Sequence, residues 1–404
     1  MITDKEIVGN FRDFGAPQVE LKYEINRELS MRIIKNAEEE GIAVAQLDKS
    51  SSKFYGVKLE LDHGAMVPLY FADKNRKCKL VHITYGMLSP MELMNFGRCI
   101  KRTVDDSNTK AVFIASGDLS HRLTEDGPYP YTPLGREFDK ELIEKLKSGK
   151  LNTIFNIDKK LVREAGECGL RSLYVFTGAI NSSNTKGELL SYEGPLGVGY
   201  GIMEFKGEGN DLYSEMLCEK EKEHKRRTKE GNPYTVLARR NLESYFYEGK
   251  LLTSEDIEDK ELLNDRKGVF VSLKINGELR GCIGTIAPTT NSVAEEIIRN
   301  SISAALNDPR FSPVKKEELL DIDISVDLLY SPEKTDFNGL DPKVYGVIVS
   351  YGEKRGLLLP NLEGIDTKEE QVSIAREKGG IREDVPYTLE RFKVERFKEV
   401  DDDE

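Results

Sequence analysis

The 404-residue sequence has no tryptophan and only four histidines, His63, His82, His121 and His224. Any histidine-dependent chemistry has to be built from those four. Its five cysteines, Cys78, Cys99, Cys168, Cys218 and Cys282, are odd in number, scattered and never in a C-x-x-C pair. That speaks against a disulfide framework and for a reducing, cytoplasmic compartment. No run of about 18 apolar residues occurs, and the opening Met1–Phe11 lacks the apolar core of a secretion signal, so no membrane partner is expected. Positive charge is in deficit, with 59 Lys and Arg against 71 Asp and Glu and a formal net charge of −12. A field of that sign repels phosphate backbones, and no nucleic-acid partner is expected. Neither a glycine period nor a low-complexity tract is present.

What is there suffices for folded cores. Hydrophobic residues make up 38%, which excludes wholesale disorder, and the length suits two or three domains. Residues 1–205 alternate helical and strand patterns. Leu29, Ile33, Ile34 and Ala37 recur at helical spacing before Gly41, and Ser89-Pro90 opens a helix carrying Leu93, Phe96, Ile100 and Val104. Lys79–Tyr85 and Ala111–Ala115 read as strands, the second ended by Ser116-Gly117-Asp118. The pattern predicts an α/β domain, three-layered around a mixed sheet. Residues 206–232 are dense in charge and read as a linker, partly helical at most. The Gly-rich run Gly194–Gly201 does not open a helix after a first strand and reads as a turn rather than a dinucleotide site.

Residues 233–396 read as an α+β domain. A helix is expected from Asn232-Pro233, another at Ser292–Leu306, and strands at Ile322–Leu329, Tyr345–Ser350 and Gly356–Leu359. Val269, Val271, Leu273 and Ile275 alternate up to Asn276-Gly277, a preferred hairpin turn, and Leu279–Ile286 returns. A two-residue turn there pairs Leu273 with Arg280 and Val271 with Cys282, placing Arg280 and Cys282 on one face. Such a cation would favour a thiolate, and Arg280 needs an acidic partner, expected to be Asp327 or Glu278. Gly281 and Gly284 would let a backbone or ligand approach closely. Arg280, Gly281, Cys282 and Gly284 are therefore a candidate site.

In the first domain His121 follows an expected strand, where α/β sheets bind ligands. His63 stands beside Asp62, whose carboxylate could orient its ring. Glu167 and Cys168 place a carboxylate and a thiol before an apolar segment. His82 has no such setting and reads as structural.

Three motifs in order, His63–Tyr70, Ser116–Arg122 and Glu167–Ser172, resemble the class III extradiol dioxygenase superfamily. This includes the LigB-type ring-cleaving enzymes and the Memo-like proteins, and the resemblance spans residues 1–203. It implies Fe²⁺ held by two histidines and one carboxylate, with a cysteine at the carboxylate's position in Memo-like relatives. It also implies His121 as general base, His63 as a second histidine near substrate or oxygen, and Glu167 or Cys168 as a metal ligand. The superfamily's two ligand histidines lie in an opening block, whereas no histidine precedes His63 here. A start-site or fragment artefact and a domain that has lost its metal both remain open, and either predicts weak Fe²⁺ binding. The segment 279–285 with Asn307–Phe311, Ile324–Asp327 and Gly356–Pro360 resembles the AMMECR domain family over about 233–396. The pair implies a fusion of the AmmeMemoRadiSam system, whose further member, a radical S-adenosylmethionine enzyme, would be a partner. The function implied is iron-dependent oxygenation of a small aromatic molecule. The alternative is a non-catalytic module that presents the Cys282 hairpin to that partner.

Overall fold

The computed structural model describes every residue except Arg76, Asn276, Glu363, Glu383 and 400–404. The chain divides into two compact units, Met1–Cys218 and Glu219–Glu404. The first is α/β. Its elements are β1 (Glu6–Phe11), β2 (Ala16–Glu24), α1 (Arg27–Glu39), α2 (Lys49–Tyr55), α3 (His63–Ala72), α4 (Pro90–Asp105), α5 (Pro133–Ser148), α6 (Lys159–Ala165), α7 (Leu170–Ile180), β3 (Asn184–Glu193) and β4 (Tyr200–Glu208). β1 with β2 and β3 with β4 form antiparallel ribbons. Leu29, Ile33, Ile34 and Ala37 of α1 are buried, as their spacing predicts. Ser89 and Glu92 form a reciprocal cap on α4, satisfying amides that the first turn cannot bond internally. α4 and α7 pack so closely that a Cβ on Gly178 would lie 1.8 Å from the Met94 carbonyl oxygen.

Two expected strands differ. Lys79–Tyr85 and Ala111–Ala115 carry no ladder among the described residues, apart from an Ile25–Leu80 bridge. Val112 is 89% exposed, so its apolar character is not matched by burial. The charged stretch is also more ordered than a linker: β4 runs to Glu208 and Leu212–Glu230 is a 19-residue helix, α8. Within the second unit Arg227 bonds Asp323 at 2.5 Å and Glu223 at 2.9 Å.

The second unit is α+β. It comprises α9 (Pro233–Glu243), α10 (Lys260–Asn264), β5 (Gly268–Ile275), β6 (Glu278–Gly284), α11 (Val293–Leu306), β7 (Ile322–Leu329), β8 (Glu333–Thr335), β9 (Tyr345–Tyr351), β10 (Lys354–Leu358), α12 (Lys368–Lys378) and β11 (Thr388–Lys398). The antiparallel sheet runs β10-β9-β11-β7-β5-β6, with β8 added to β11. Val269, Val271, Leu273 and the isoleucines of β7 pack with Leu237, Leu242, Val293 and Ile297 of the helices. Val347, Val349 and Leu358 pack with Val372 and Ala375 of α12. The opposite face carries a smaller cluster of Leu329, Ile348 and Phe392.

The hairpin exists, but its register departs from the expected one. Asn276 lies outside the described residues. Ile275 faces Glu278 and Lys274 faces Leu279; then a shift pairs Leu273 with Gly281 and Ser272 with Cys282. Arg280 is the extra residue of a β-bulge. One inserted residue turns the rest of the strand over, so Cys282 sits opposite Ser272 on the face away from the valines.

Candidate functional site

In the first unit the segment Asp118–Leu123 is fixed by its backbone. Leu119 N–H donates to Gly199 O at 2.9 Å, Gly199 N–H to Ser120 O at 2.8 Å and Leu123 N–H to Gly197 O at 2.9 Å. The Gly-rich run is thus a brace for this loop. Buried Asp139 accepts the Ser120 N–H at 2.7 Å and the Tyr192 hydroxyl at 2.6 Å. Burial pushes the Asp139 carboxyl up against those two hydrogen bonds. His121 N–H donates to Ala165 O at 3.1 Å, so α6 and the glycine run hold the loop from two sides.

On this frame Asp118, His121 and Cys168 each bring one donor atom to within 4.8 Å of the others. Asp118 N–H points at Cys168 Sγ, 3.2 Å away. Burial raises the thiol pKa, and that amide partly opposes the rise. His121 Nε2 is 3.7 Å from Asp118 Oδ2 and is buried without a hydrogen-bond partner among the described residues. A buried ring nitrogen left unpaired is costly unless something else satisfies it. The Tyr129 ring stacks on His121 at 5.4 Å and 22°, and Tyr85 donates its hydroxyl to Cys168 O at 2.9 Å.

The other residues singled out in this unit are placed differently. Glu167 turns to α7, where its carboxylate accepts the Leu170 N–H at 2.6 Å, and burial raises its pKa. His63 heads α3, is exposed and lies 5.3 Å from the Phe14 ring. Only its backbone neighbourhood approaches the loop, through Ser116 Oγ donating to Gly64 O at 2.5 Å. His82 is half-buried, and desolvation lowers its pKa. Sequence reasoning missed Asp118 and Tyr129; the i, i+3 spacing of Asp118 and His121 was the available signal. The donor set is one imidazole, one carboxylate and one thiol. The two-imidazole, one-carboxylate seat for Fe²⁺ is not assembled among the described residues, so the site does not fit that ion's expected ligation.

In the second unit Arg280 pairs with Glu318 at 2.7 Å, not with Asp327 or Glu278, and donates to Ser312 O at 2.8 Å. The bulge aims it at that loop. Asp327 is instead bound by Arg396 at 2.7 and 2.8 Å. Gly281 and Gly284 serve packing: a Cβ would lie 2.1 Å from Ala304 O and 2.3 Å from the Phe270 ring. Cys282 accepts the Ser272 hydroxyl at 3.2 Å, and its N–H donates to Asp308 at 2.9 Å. Burial raises its thiol pKa, and the cation that opposes the rise is Arg310.

Comparison with known proteins bears on both units. Residues 1–203 match the family described as the catalytic LigB subunit of aromatic ring-opening dioxygenase, and residues 235–400 match the AMMECR1 family. Protein CA_C1420 of Clostridium acetobutylicum is 50% identical over 402 residues, covering 98% of this chain and 86% of that one. A Thermotoga maritima protein is 50% identical over 170 residues, 41% of this chain and 98% of its own. The crystal structure of protein PH0010 from Pyrococcus horikoshii is 32% identical, covers 42% of this chain and 90% of that one, and has a TM-score of 0.38. No helix among the described residues is long and apolar enough to cross a membrane. The chain belongs to the family that joins a LigB-type dioxygenase domain to an AMMECR1 domain.

Proposed function

We propose that the first unit binds a small phenol or catechol at the Asp118–His121–Cys168 cluster and deprotonates it, the opening step of an oxygenation. The observation that carries this reading is His121 Nε2, buried, unpaired among the described residues and 3.7 Å from the Asp118 carboxylate. A substrate hydroxyl placed there donates to Nε2 and then transfers its proton, leaving a phenolate on the substrate and an imidazolium on His121. Asp118 stabilises that cation, and the stacked Tyr129 limits ring rotation. The family match supports an aromatic substrate. Ring opening itself would need iron, whose expected seat this donor set does not match.

4-Nitrocatechol tests the reading, because its ionisation is visible. The full chain is expected to bind it in the ionised form at a pH where the free molecule is protonated. His121→Gln abolishes that spectral change, and Asp118→Asn weakens it. Equal ionisation by the parent and His121→Gln would overturn the proposal.

A second reading is favoured by the 4.8 Å spacing of the three donors, which suits a divalent cation. Thiolate and imidazole prefer zinc over ferrous iron. A cation held through Nε2 would occupy the lone pair that the base needs and silence it.

A further inference from the structure

The geometry points to a second binding site, on the sheet of the AMMECR1 domain, for a small apolar molecule bearing one carboxylate. The bulge at Arg280 creates it by moving Cys282 off the valine face. β6 is the edge strand, and both edge-facing backbone groups of Cys282 are already taken: its N–H by Asp308 at 2.9 Å and its carbonyl by Arg310 Nη2 at 3.2 Å. The two side chains thus take the place of a further strand, which blunts the edge and fixes Arg310 beside the thiol. Arg310 is held to Asp308, whose side chain is only 2% exposed, by two contacts of 3.0 and 2.7 Å through Nε and Nη2. Its Nη1 bonds nothing among the described residues, and its side chain is 54% exposed. A planar guanidinium anchored through Nε and Nη2 leaves the hydrogens of Nη1 as a fixed, charge-assisted donor for one carboxylate oxygen.

The floor beside it is apolar at Phe270, with the Asp327–Arg396 ion pair next to it on β7 and β11, so Asp327 is already neutralised. Phe270 shares the face of Ser272 and Cys282, and the missing side chain at Gly284 lets its ring lie over β6. Half-buried Phe270 and Ile286 are the β5–β6 end of an apolar cluster that continues across the sheet through Leu329, Phe392 and Ile348 to Leu357 on β10. A few polar groups at the rim of an apolar surface are the usual composition of a small-molecule site. With Arg310 supplying the charge and Phe270 the flat surface, the fitting ligand is an aromatic carboxylic acid. Cys282 reports occupancy from the boundary between the two.

The full chain is treated with iodoacetate and, separately, iodoacetamide, and each cysteine is quantified by peptide mass spectrometry. Both reagents need the same thiolate, so their rate ratio cancels the raised thiol pKa and isolates attraction for the carboxylate. The ratio at Cys282 is expected to exceed that of the same peptide in urea by on the order of tenfold, the worth of one charge-assisted contact. Arg310→Gln removes the excess, and benzoate protects Cys282 while leaving exposed Cys218 unaffected. Because Arg310 also caps the edge, the benzoate arm is run on the parent chain and stands apart from the variant. A ratio equal to that in urea, or no protection by benzoate, would overturn the site.

Discussion

Replacing Glu399 by glutamine should unfold the second unit well before the first. The Arg239 side chain is 2% exposed and that of Glu399 0%. All three guanidinium nitrogens are engaged. Nε and Nη2 reach the two carboxylate oxygens at 2.5 and 2.6 Å, Nη2 also reaches Ile322 O at 2.5 Å, and Nη1 reaches Leu319 O at 3.2 Å and His224 Nδ1 at 3.0 Å. A guanidinium only donates, so Nδ1 of His224 must accept. Its Nε2 side faces Glu243, 2.6 Å away. Glu399→Gln leaves that buried cation without an anion, a loss of about 3–5 kcal/mol. For a unit of this size that corresponds to roughly 6–20 °C in melting temperature. Arg239→Met with Glu399→Leu removes both charges together and should cost less than Glu399→Gln alone. Calorimetry of the full chain, with hydrogen exchange of β7 and α9 peptides to identify the transition, reads both numbers. A loss below about 1 kcal/mol, or a double variant worse than the single one, would refute the account of this pair.

Three further outcomes follow from the first unit. Burial lowers the pKa of His82, so the unfolded state takes up the extra proton below about 6.5 and stability falls as the pH drops from there toward the folded value. The slope is at most about 1.4 kcal/mol per pH unit, and urea titrations of His82→Leu at pH 7 and pH 5 should show it flattened. Gly178→Ala forces α4 and α7 apart and should cost about 1–3 kcal/mol by the same measurement, whereas an unchanged midpoint would contradict the 1.8 Å approach. The zinc reading predicts that the parent chain binds one Zn²⁺ in a metal titration and that Cys168→Ser binds it more weakly, whereas equal binding would contradict it.

Periodicity and caps made several elements legible: α1, α4, α11, β7, β9 and β10 lie where apolar spacing and turn residues put them. The hairpin of β5 and β6 was equally clear, but its register was not. A bulge adds one residue without disturbing local composition, and only pairing reveals that Arg280 is the extra one. β11 escaped because Leu389, Phe392, Val394 and Phe397 break strict alternation. α8 escaped because its few apolar side chains give it little amphipathic pattern, while Arg227, His224 and Lys220 bind groups distant in sequence. At the site, residue types pointed to the segments around His121 and Cys168, but side-chain direction decided membership. Glu167 caps a helix one residue away from a thiol that faces Asp118. His63 turns toward Phe14, which no spacing argument brings near it.

The most direct test of the first unit is the imidazole nitrogen spectrum of the full chain, which four histidines make assignable. Adding catechol, which is un-ionised when free at neutral pH, should place a proton on the His121 ring while the bound probe ionises, and leave His63 and His224 unchanged. A His121 that stays neutral while the ionised probe binds would place the base elsewhere and contradict the account.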